Sequence, residues 1–475
     1  MPSLRSLAKD TMIYGMSSIV GRFLNYLLVP IHTYKMAAEG GGYGVITNVY
    51  SWVALTLVIC IFGMETTIFR YANDAKSDPR AVFSNAFWVV ATLAGLMLAG
   101  VLLNLRSVAG ALNYGDMPWI LGSMAIVTAL DSVQAVLFAW LRFMKRPIRF
   151  ATLKLLFIFC SIALNLLFYT ILGCSDPDMA CYINLACTLV VTLFLIPEFR
   201  LVRFHIDRPL LRRMLSYSWP LLLLGIAGIL NQTADKIIFP FVYPDEAEGR
   251  SLLGIYGACV KIAMIMAMIT QAFRFAYEPF VFGSTREADA KTKYAVAMKY
   301  FIIFTLLAYL CVIAGLPVLR YFIQAKYWEG LSVVPIVMAA EIMMGVYFNL
   351  SFWYKLTDRN IYGAWFSLAG CSVLIAVNVL GVPRYGYMAC AWGGVAGYGT
   401  AMLLSYFVGR VKNPFPYDLA SIFSYVLLTA VCHVAMVYIP RWLALTDILT
   451  LAFSALIILA FAAHIWFWEF RRRRA

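Results

Sequence analysis

The chain has 475 residues, of which 63% are hydrophobic and only 13% are charged, and its mean hydropathy is +0.80. Soluble domains average about 45–50% apolar and about 25% charged residues, so a water-soluble fold would lack the polar side chains to cover itself. The net charge of +14 does not indicate nucleic-acid binding, because no basic cluster is interleaved with aromatic residues on a polar module. The composition therefore predicts an all-α polytopic membrane protein.

Fourteen apolar stretches are long enough to cross a bilayer, which takes about 20 helical residues. In chain order they lie near residues 11–34, 45–69, 81–104, 117–141, 150–172, 179–196, 214–240, 253–282, 300–316, 332–353, 361–380, 387–408, 419–438 and 447–470. The first follows the basic segment MPSLRSLAKD without a signal-peptide cleavage pattern, so we expect it to remain uncleaved. The connecting segments are short, which argues against an inserted catalytic domain.

The basic residues alternate between successive loops. Loops on the side of the N-terminus carry 26 of the 38 Lys and Arg residues, and the opposite loops carry 7. Loops rich in Lys and Arg stay in the cytoplasm. This pattern predicts both termini in the cytoplasm and, in a bacterium, a location in the inner membrane. One missed or extra span would scramble the difference, which supports the count of fourteen.

Charged residues inside the spans are the candidate functional residues, because an intramembrane charge costs at least about 2.5–3.5 kcal/mol and normally faces a cavity or another charge. They are Arg22, Lys154, Lys236, Lys261, Arg274, Glu65, Asp131, Asp235, Glu278 and Glu341. At 100° per residue, Asn25 shares a helix stripe with Arg22, and Gln271 shares one with Arg274.

Three of these charges have simpler explanations than a binding role. Lys154 lies four residues from the end of its span, where a lysine can reach the interface. Lys236 is next to Asp235 and can pair with it or reach the interface. Arg274 and Glu278 have the i,i+4 spacing of a helical ion pair.

Arg22 and Lys261 have no comparable explanation, and we expect both to line a transport cavity. Asp131 and Glu341 lie in the middle of their spans. Each is either a buried protonated acid with one hydrogen bond or a binding site for H⁺ or Na⁺. No group of side chains has the spacing of metal ligands, so we expect no metal.

The second and eighth spans share a sequence pattern. Their openings, GGYGVITNVYSW and LGIYGACVKIAM, align residues 43–44 with 256–257, and the same offset of 213 aligns Glu65 with Glu278. The pattern suggests two parallel halves of six helices, an arrangement that usually holds substrate between the halves. The predicted domains are residues 1–213, 214–410 and 411–475, the last with two further helices and a basic tail.

Diffuse motifs between residue 7 and about residue 392 resemble a known family. They include LAKDTMIYGMSSIVGRFLNYLLVPIHTY, YGVITNVYSW, FGMETTIFRYAND, LNQTADKIIF, QAFRFAYEPFVF and NLSFWYKLTDRNIYGAW. With fourteen spans, the chain resembles the multidrug/oligosaccharidyl-lipid/polysaccharide (MOP) exporter superfamily. Within it, the chain is similar to the polysaccharide transporter branch, the Wzx-type flippases of lipid-linked oligosaccharides.

The resemblance implies a V-shaped pair of six-helix bundles that moves an undecaprenyl-diphosphate-linked oligosaccharide by alternating access. The carried sugar would be an O-antigen, capsular or exopolysaccharide repeat unit, and polysaccharide polymerase or assembly proteins would be partners besides the membrane lipids. Arg22, Lys236, Lys261 and Arg274 would then face the diphosphate, which needs compensating cations when it leaves water. No organic cofactor is implied, and H⁺, Na⁺ and membrane potential remain open as driving forces.

Three other functions remain as alternatives. A cation or drug antiporter of the same superfamily should have an acidic cavity, whereas helices 1, 2, 7 and 8 hold four basic and three acidic groups. A peptidoglycan-precursor flippase is chemically close to the first proposal. A membrane polymerase or ligase is remote, because the longest outer segment, VYPDEAEGRSLL, is short and no GxSxG occurs. We therefore expect a protein that is not an enzyme.

Overall fold

The computed structural model describes residues 26–36, 41–74, 77–283, 289–357, 359 and 361–471, without the side chains of residues 275, 276, 278–280, 282, 283, 470 and 471. Every regular element in these ranges is a helix, which confirms the all-α class. The described residues form two compact units, one ending at Gly257 and one beginning at Ala258. The predicted domain boundaries, which rest on the sequence repeat, stay predictions.

Several helices of the first unit begin within a few residues of the predicted span starts. In chain order the helices of this unit are α1 (Leu28–Lys35), α2 (Gly42–Ile61), α3 (Met64–Ala72), α4 (Pro79–Leu103), α5 (Leu105–Ala111), α6 (Pro118–Phe143), α7 (Pro147–Asn165), α8 (Asp178–Phe194), α9 (Ile196–Phe199), α10 (Arg208–Val242) and the first turns of α11 (Glu246–Gly283). A π-helical segment, Leu166–Ile171, continues α7. The largest core of this unit lies among α3, α4, α6, α7, α8 and α10.

The sequence sets several of these helix starts directly. Proline occupies the first position of α4, α6 and α7, where its missing N–H costs no hydrogen bond. Asp78 caps α4 by accepting a hydrogen bond from the backbone N–H of Arg80, and Asp207 caps α10 in the same way through Leu210.

The second predicted span contains a break. Phe62 and Gly63 both adopt the left-handed conformation, with φ of 53° and 69°, and they separate α2 from α3. A Cβ atom on Gly63 would lie 3.0 Å from that of Leu221 in α10. The hydroxyl oxygens of Thr67 and Ser218 lie 2.5 Å apart, so the broken segment is held against α10 by a buried polar contact.

The second unit begins within α11. Its further helices are α12 (Ala290–Leu319), α13 (Val333–Leu350), α14 (Phe352–Lys355), α15 (Ile361–Tyr385), α16 (Tyr387–Lys412), α17 (Leu419–Trp442) and α18 (Asp447–Arg471), with 3₁₀ turns over Arg320–Phe322 and Ala325–Ser332. Phe461, Tyr425 and Met436 belong to a core that also contains residues of α12 and α13. The two C-terminal helices are therefore docked on the second unit by apolar packing.

Eleven helices of the described chain are long and apolar enough to cross a membrane, which supports a multi-pass membrane protein. They correspond to predicted spans 2–5, 7–11, 13 and 14. The sixth corresponds to the shorter apolar helix α8, and the twelfth to the 26-residue helix α16. The first lies mostly outside the described residues, so the count of fourteen stays a prediction.

The two Tyr-Gly pairs of the sequence repeat lie at a close approach between α2 and the start of α11. A Cβ atom on Gly44 would overlap the carbonyl oxygen of Arg250 and would lie 2.8 Å from the nitrogen of Gly254. A Cβ atom on Gly257 would overlap the side chain of Thr47. Small residues let two membrane helices approach in this way, so these glycines have a packing role.

Candidate functional site

A buried ion pair lies on α10 in the first unit, and a hydrogen bond connects it with α11. Nζ of Lys236 lies 3.0 Å from both carboxylate oxygens of Asp235, which is only 7% exposed. The Tyr256 hydroxyl donates to the same carboxylate at 2.6 Å. The Lys236 ammonium also donates to the carbonyl of Gln232 at 3.1 Å. The pairing of Lys236 with Asp235, one of the explanations that the sequence offered, is confirmed.

Polar contacts extend from this ion pair toward the loop before α6. The Asn48 amide donates to the carbonyl oxygen of Lys236 at 2.7 Å, and the buried Tyr114 hydroxyl donates to Asn48 at 2.9 Å. The Arg250 guanidinium lies 3.0 Å from the Asp116 carboxylate and 5.3 Å from the Tyr114 ring centre. Burial alone would raise the pKa of Asp116, but the hydrogen bonds and charge of Arg250 hold it below its usual value.

Glu65 forms an ion pair that the sequence did not indicate. Its carboxylate lies 3.0 Å from the Arg142 guanidinium. The Glu65 side chain is 39% exposed and the Arg142 side chain 35% exposed. The predicted fourth span ends near residue 141, and Arg142 lies in the last turn of α6. Its guanidinium also lies 5.1 Å from the ring centre of Phe69. Glu65 is therefore engaged near the end of its span.

Asp131 lies within a group of hydroxyl and amide side chains between α6 and α8. The Thr188 hydroxyl donates to its carboxylate at 3.3 Å. The Gln134 amide, one turn along α6, donates to the carbonyl of Thr188 at 3.1 Å and to the Thr192 hydroxyl at 2.9 Å. Lys154 lies 4.1 Å from the ring centre of Phe138. This arrangement gives Asp131 a polar environment inside an apolar bundle.

Three predicted site residues lie on α11 within the second unit. Lys261 and Gln271 are half-buried, Arg274 is exposed, and each has at least one polar or electrostatic interaction. α11 is continuous from Glu246 to Gly283, so 13 residues place Lys261 about 20 Å along the axis from Arg274 and about 140° around it. The two cations therefore stand at different depths and on different faces.

Arg274 lies beside a small cleft with unsatisfied polar groups. The guanidinium is 4.7 Å from the Phe348 ring centre. The cleft has a volume of about 10 Å³, close to the minimum for one water molecule. Its wall includes Thr270 and Asn349, whose Oγ1 and Oδ1 atoms are buried with no hydrogen-bond partner in the described protein. The surroundings of Arg274 thus combine its positive charge with the aromatic face of Phe348 and two acceptor atoms that lack a hydrogen bond.

The remaining predicted residues are placed only in part. Arg22 and Asn25 lie outside the described residues, as does the side chain of Glu278. Glu341 is half-buried on α13 and has an interaction partner. In the part of the chain that the structure describes, no three His, Cys, Asp or Glu residues are grouped as a metal site would require.

Sequence reasoning missed the uncharged residues of these sites. Asn48, Tyr114 and Tyr256 complete the contacts around the Asp235 ion pair, and Thr270 and Asn349 lie beside Arg274. A search restricted to charges inside spans could not find them. The usable signals were the position of Tyr256 in the repeat and of Asn349 in the motif NLSFWYKL.

A family model described as polysaccharide biosynthesis protein matches residues 7–276, more than half of the chain. The chain belongs to this polysaccharide biosynthesis protein family. The match includes Asp131, the Asp235–Lys236 pair, Lys261 and Arg274. No curated protein sequence matches the chain significantly.

Solved structures show which fold this family member has. The lipid II flippase MurJ in an inward closed conformation matches with a TM-score of 0.74 at 11% identity, over 96% of this chain and 99% of that one. An inward-facing multidrug resistance MATE family transporter of the MOP superfamily matches with a TM-score of 0.62 at 14% identity, over 87% and 96%. An outward-facing one gives 0.57 at 14% identity, over 85% and 95%. The chain has the fold of MOP superfamily proteins.

Proposed function

We propose that this protein is a flippase that moves an undecaprenyl-diphosphate-linked oligosaccharide from the cytoplasmic to the periplasmic leaflet by alternating access. The proposal rests on membership of the polysaccharide biosynthesis family and on the cations of α11. The position of Arg274 is the observation that supports the proposal most directly. The exposed guanidinium of Arg274 lies over the Phe348 ring and at a cleft with unmet polar atoms.

The spacing of Lys261 and Arg274 suits a substrate that changes leaflet. Their separation of about 20 Å along α11 is two-thirds of the hydrocarbon thickness of about 30 Å. A diphosphate that leaves water can therefore meet a cation at two depths. Arg22, on the first span, would supply a third. In a low-dielectric environment such charge-assisted hydrogen bonds are stronger than in water.

Coupling to an ion gradient is assigned to Asp131. The neutral hydroxyl of Thr188 donates to its carboxylate, and the Gln134 amide donates in turn to the Thr188 carbonyl and the Thr192 hydroxyl. Neutral oxygen ligands with one carboxylate suit either a proton or Na⁺. By contrast, Asp235 and Glu65 are held in ion pairs, which leaves Asp131 as the better candidate.

The test is export in a strain that lacks its own copy of the gene. We expect Arg274→Ala and Lys261→Ala each to lower surface polysaccharide at least about tenfold, because each removes a charge-assisted contact. Lipid-linked sugar should accumulate on the inner leaflet while protein levels stay normal. Arg410→Ala, at an exposed position in the last turn of α16, is the matched control. Wild-type export in both α11 variants would contradict the assignment.

Flipping of a peptidoglycan precursor is the second candidate. The similarity in fold to a lipid II flippase covers nearly the whole chain, and that substrate is also a lipid diphosphate. Depletion of the protein distinguishes the two. Loss of surface polysaccharide with normal growth supports the first function, whereas lysis with accumulated peptidoglycan precursor supports the second.

A further inference from the structure

A cleft of about 530 Å³ opens in the first unit, apart from the charged sites described above. It is bounded by the start of α4, the end of α6 and the segment after α9. Its wall includes Arg80, Trp140, Met144, Arg146, Leu201 and Arg203. Arg80, Arg146 and Arg203 belong to three of the loops that the charge pattern assigns to the cytoplasmic side, and Trp140 lies near the end of α6. The volume is in the range of small-molecule sites, about 300–1,000 Å³.

Trp140 lines this cleft and carries an unsatisfied hydrogen-bond donor. The residue is 4% exposed, and its indole N–H has no hydrogen-bond partner within the described part of the chain. The ring is fixed between Phe83 and Phe143, with ring centres 4.6 Å and 5.3 Å away. A buried N–H without a partner is rare and unfavourable, and tryptophan can only donate. An acceptor supplied by a ligand at the cleft would satisfy this N–H.

The charges of the wall favour an anionic acceptor. Asp78 lies 2.6 Å from Arg203 and Glu198 lies 2.5 Å from Arg149, so each acid already has an arginine. The backbone N–H of Arg80 and the Arg203 guanidinium lower the pKa of Asp78, which keeps that pair charged.

Two arginines of the wall are in excess over these pairs. Arg80 and Arg146 are exposed and have no ion pair with any described residue. Two guanidinium groups and one N–H donor form a set that suits a phosphate, which guanidinium binds through paired hydrogen bonds.

The rim of the cleft is apolar. Met144 is 44% exposed and Leu201 is 39% exposed, and both are part of the wall. A ligand with a phosphate and adjoining hydrocarbon fits both parts of the site, whereas a free phosphate would leave the rim uncovered. Basic pockets of this kind at the ends of membrane helices suit lipid head groups.

We propose that the cleft binds the phosphate group of an anionic phospholipid, with Trp140 Nε1 and the guanidinium groups of Arg80 and Arg146 as donors. Met144 and Leu201 contact the first methylene groups of its acyl chains. This site does not use Lys261 or Arg274, so it is independent of the transported substrate.

Native mass spectrometry of the purified full-length protein tests the site with phosphatidylglycerol and phosphatidylcholine as probes. The wild-type protein should retain phosphatidylglycerol more tightly than phosphatidylcholine. The double variant Arg80→Gln/Arg146→Gln should weaken that binding about tenfold or more, because it removes two charged donors. Trp140→Phe, which keeps the aromatic packing, should weaken it about threefold to tenfold. Arg212→Gln, at an exposed position on α10 outside the cleft, should stay within about twofold of the wild type.

The outcomes separate the parts of the proposal. Equal retention of both lipids by the wild type, or unchanged phosphatidylglycerol binding in both the double variant and Trp140→Phe, overturns the site. A second arm adds inorganic phosphate. If phosphate displaces the lipid at a comparable concentration, anion binding stands and the assignment to a phospholipid is overturned. If phosphate does not compete, the lipid assignment is supported.

Discussion

Replacing Lys236 by methionine leaves the Asp235 carboxylate buried without its cation. The two side chains are only 17% and 10% exposed, and the ion pair spans 3.0 Å. Removing one partner of a buried pair costs about 3–5 kcal/mol. The Tyr256 hydroxyl remains at 2.6 Å from the carboxylate and offsets about 1 kcal/mol. We therefore expect Lys236→Met to lower the free energy of unfolding by about 2–4 kcal/mol.

A double-mutant cycle isolates the ion pair from other effects. Asp235→Asn/Lys236→Met buries no unpaired charge, so it should recover at least half of the stability that Lys236→Met loses. Asp235→Asn alone should cost less than Lys236→Met, because the ammonium keeps its bond to the Gln232 carbonyl. The free energies come from reversible unfolding in mixed micelles at increasing dodecyl sulfate.

One result would refute this reasoning. If the double variant is no more stable than Lys236→Met, the cost comes from lost packing and not from an uncompensated charge. Export by the stable double variant answers a second question. Normal polysaccharide export by this variant assigns a structural role to both residues, and loss of export despite recovered stability supports a contact of one of them with the substrate.

Three further predictions follow from single contacts. Gly44→Ala should destabilise the protein by about 1–3 kcal/mol, because the alanine methyl group would overlap the Arg250 carbonyl oxygen. Unfolding in micelles measures the change in free energy, and an unchanged stability would contradict the close approach. Glu469→Gln should loosen the two C-terminal helices, because it leaves Lys299, 2.8 Å away, without its buried partner. We expect faster proteolysis within α17 and α18, and cleavage at the wild-type rate would refute the prediction. The pKa of Asp116 is lowered in the folded protein, so its contribution to the free energy of unfolding is present above the unfolded-state pKa of about 3.9 and is lost as pH falls through the folded value. Asp116→Asn should remove that acid dependence. A pH profile of stability identical to that of the wild type would contradict the pairing.

Much of the fold could be predicted, because the lengths of the apolar stretches and the positions of the prolines determine where the helices lie. Pro79, Pro118 and Pro147 begin helices within a few residues of the predicted span starts. The conformation at residues 62–63 could not be predicted, because a glycine in a span is also compatible with close helix packing and Phe62 gives no signal for a left-handed backbone.

The candidate site was less accessible to sequence reasoning. Adjacent residues such as Asp235 and Lys236 allow a pair to be anticipated. Glu65 and Arg142 are 77 positions apart, and only the packing of α3 against α6 brings them together. Thr270 could not be singled out, because threonine is common in membrane helices and its importance comes from an unmet hydroxyl beside Arg274.

The break between α2 and α3 connects the fold with the proposed transport. Transporters place discontinuous helices where ions and substrates bind, since a broken helix presents backbone groups away from lipid. Here the break places Glu65 in the first turn of α3, where the helix dipole favours a negative charge. Its ion pair with Arg142 then links α3 to the end of α6, while Thr67 holds the same segment to α10 through Ser218. A segment fixed on two sides has little freedom to move within its unit, so we assign it a supporting role, and the proposed contacts of the diphosphate stay with the cations of α11.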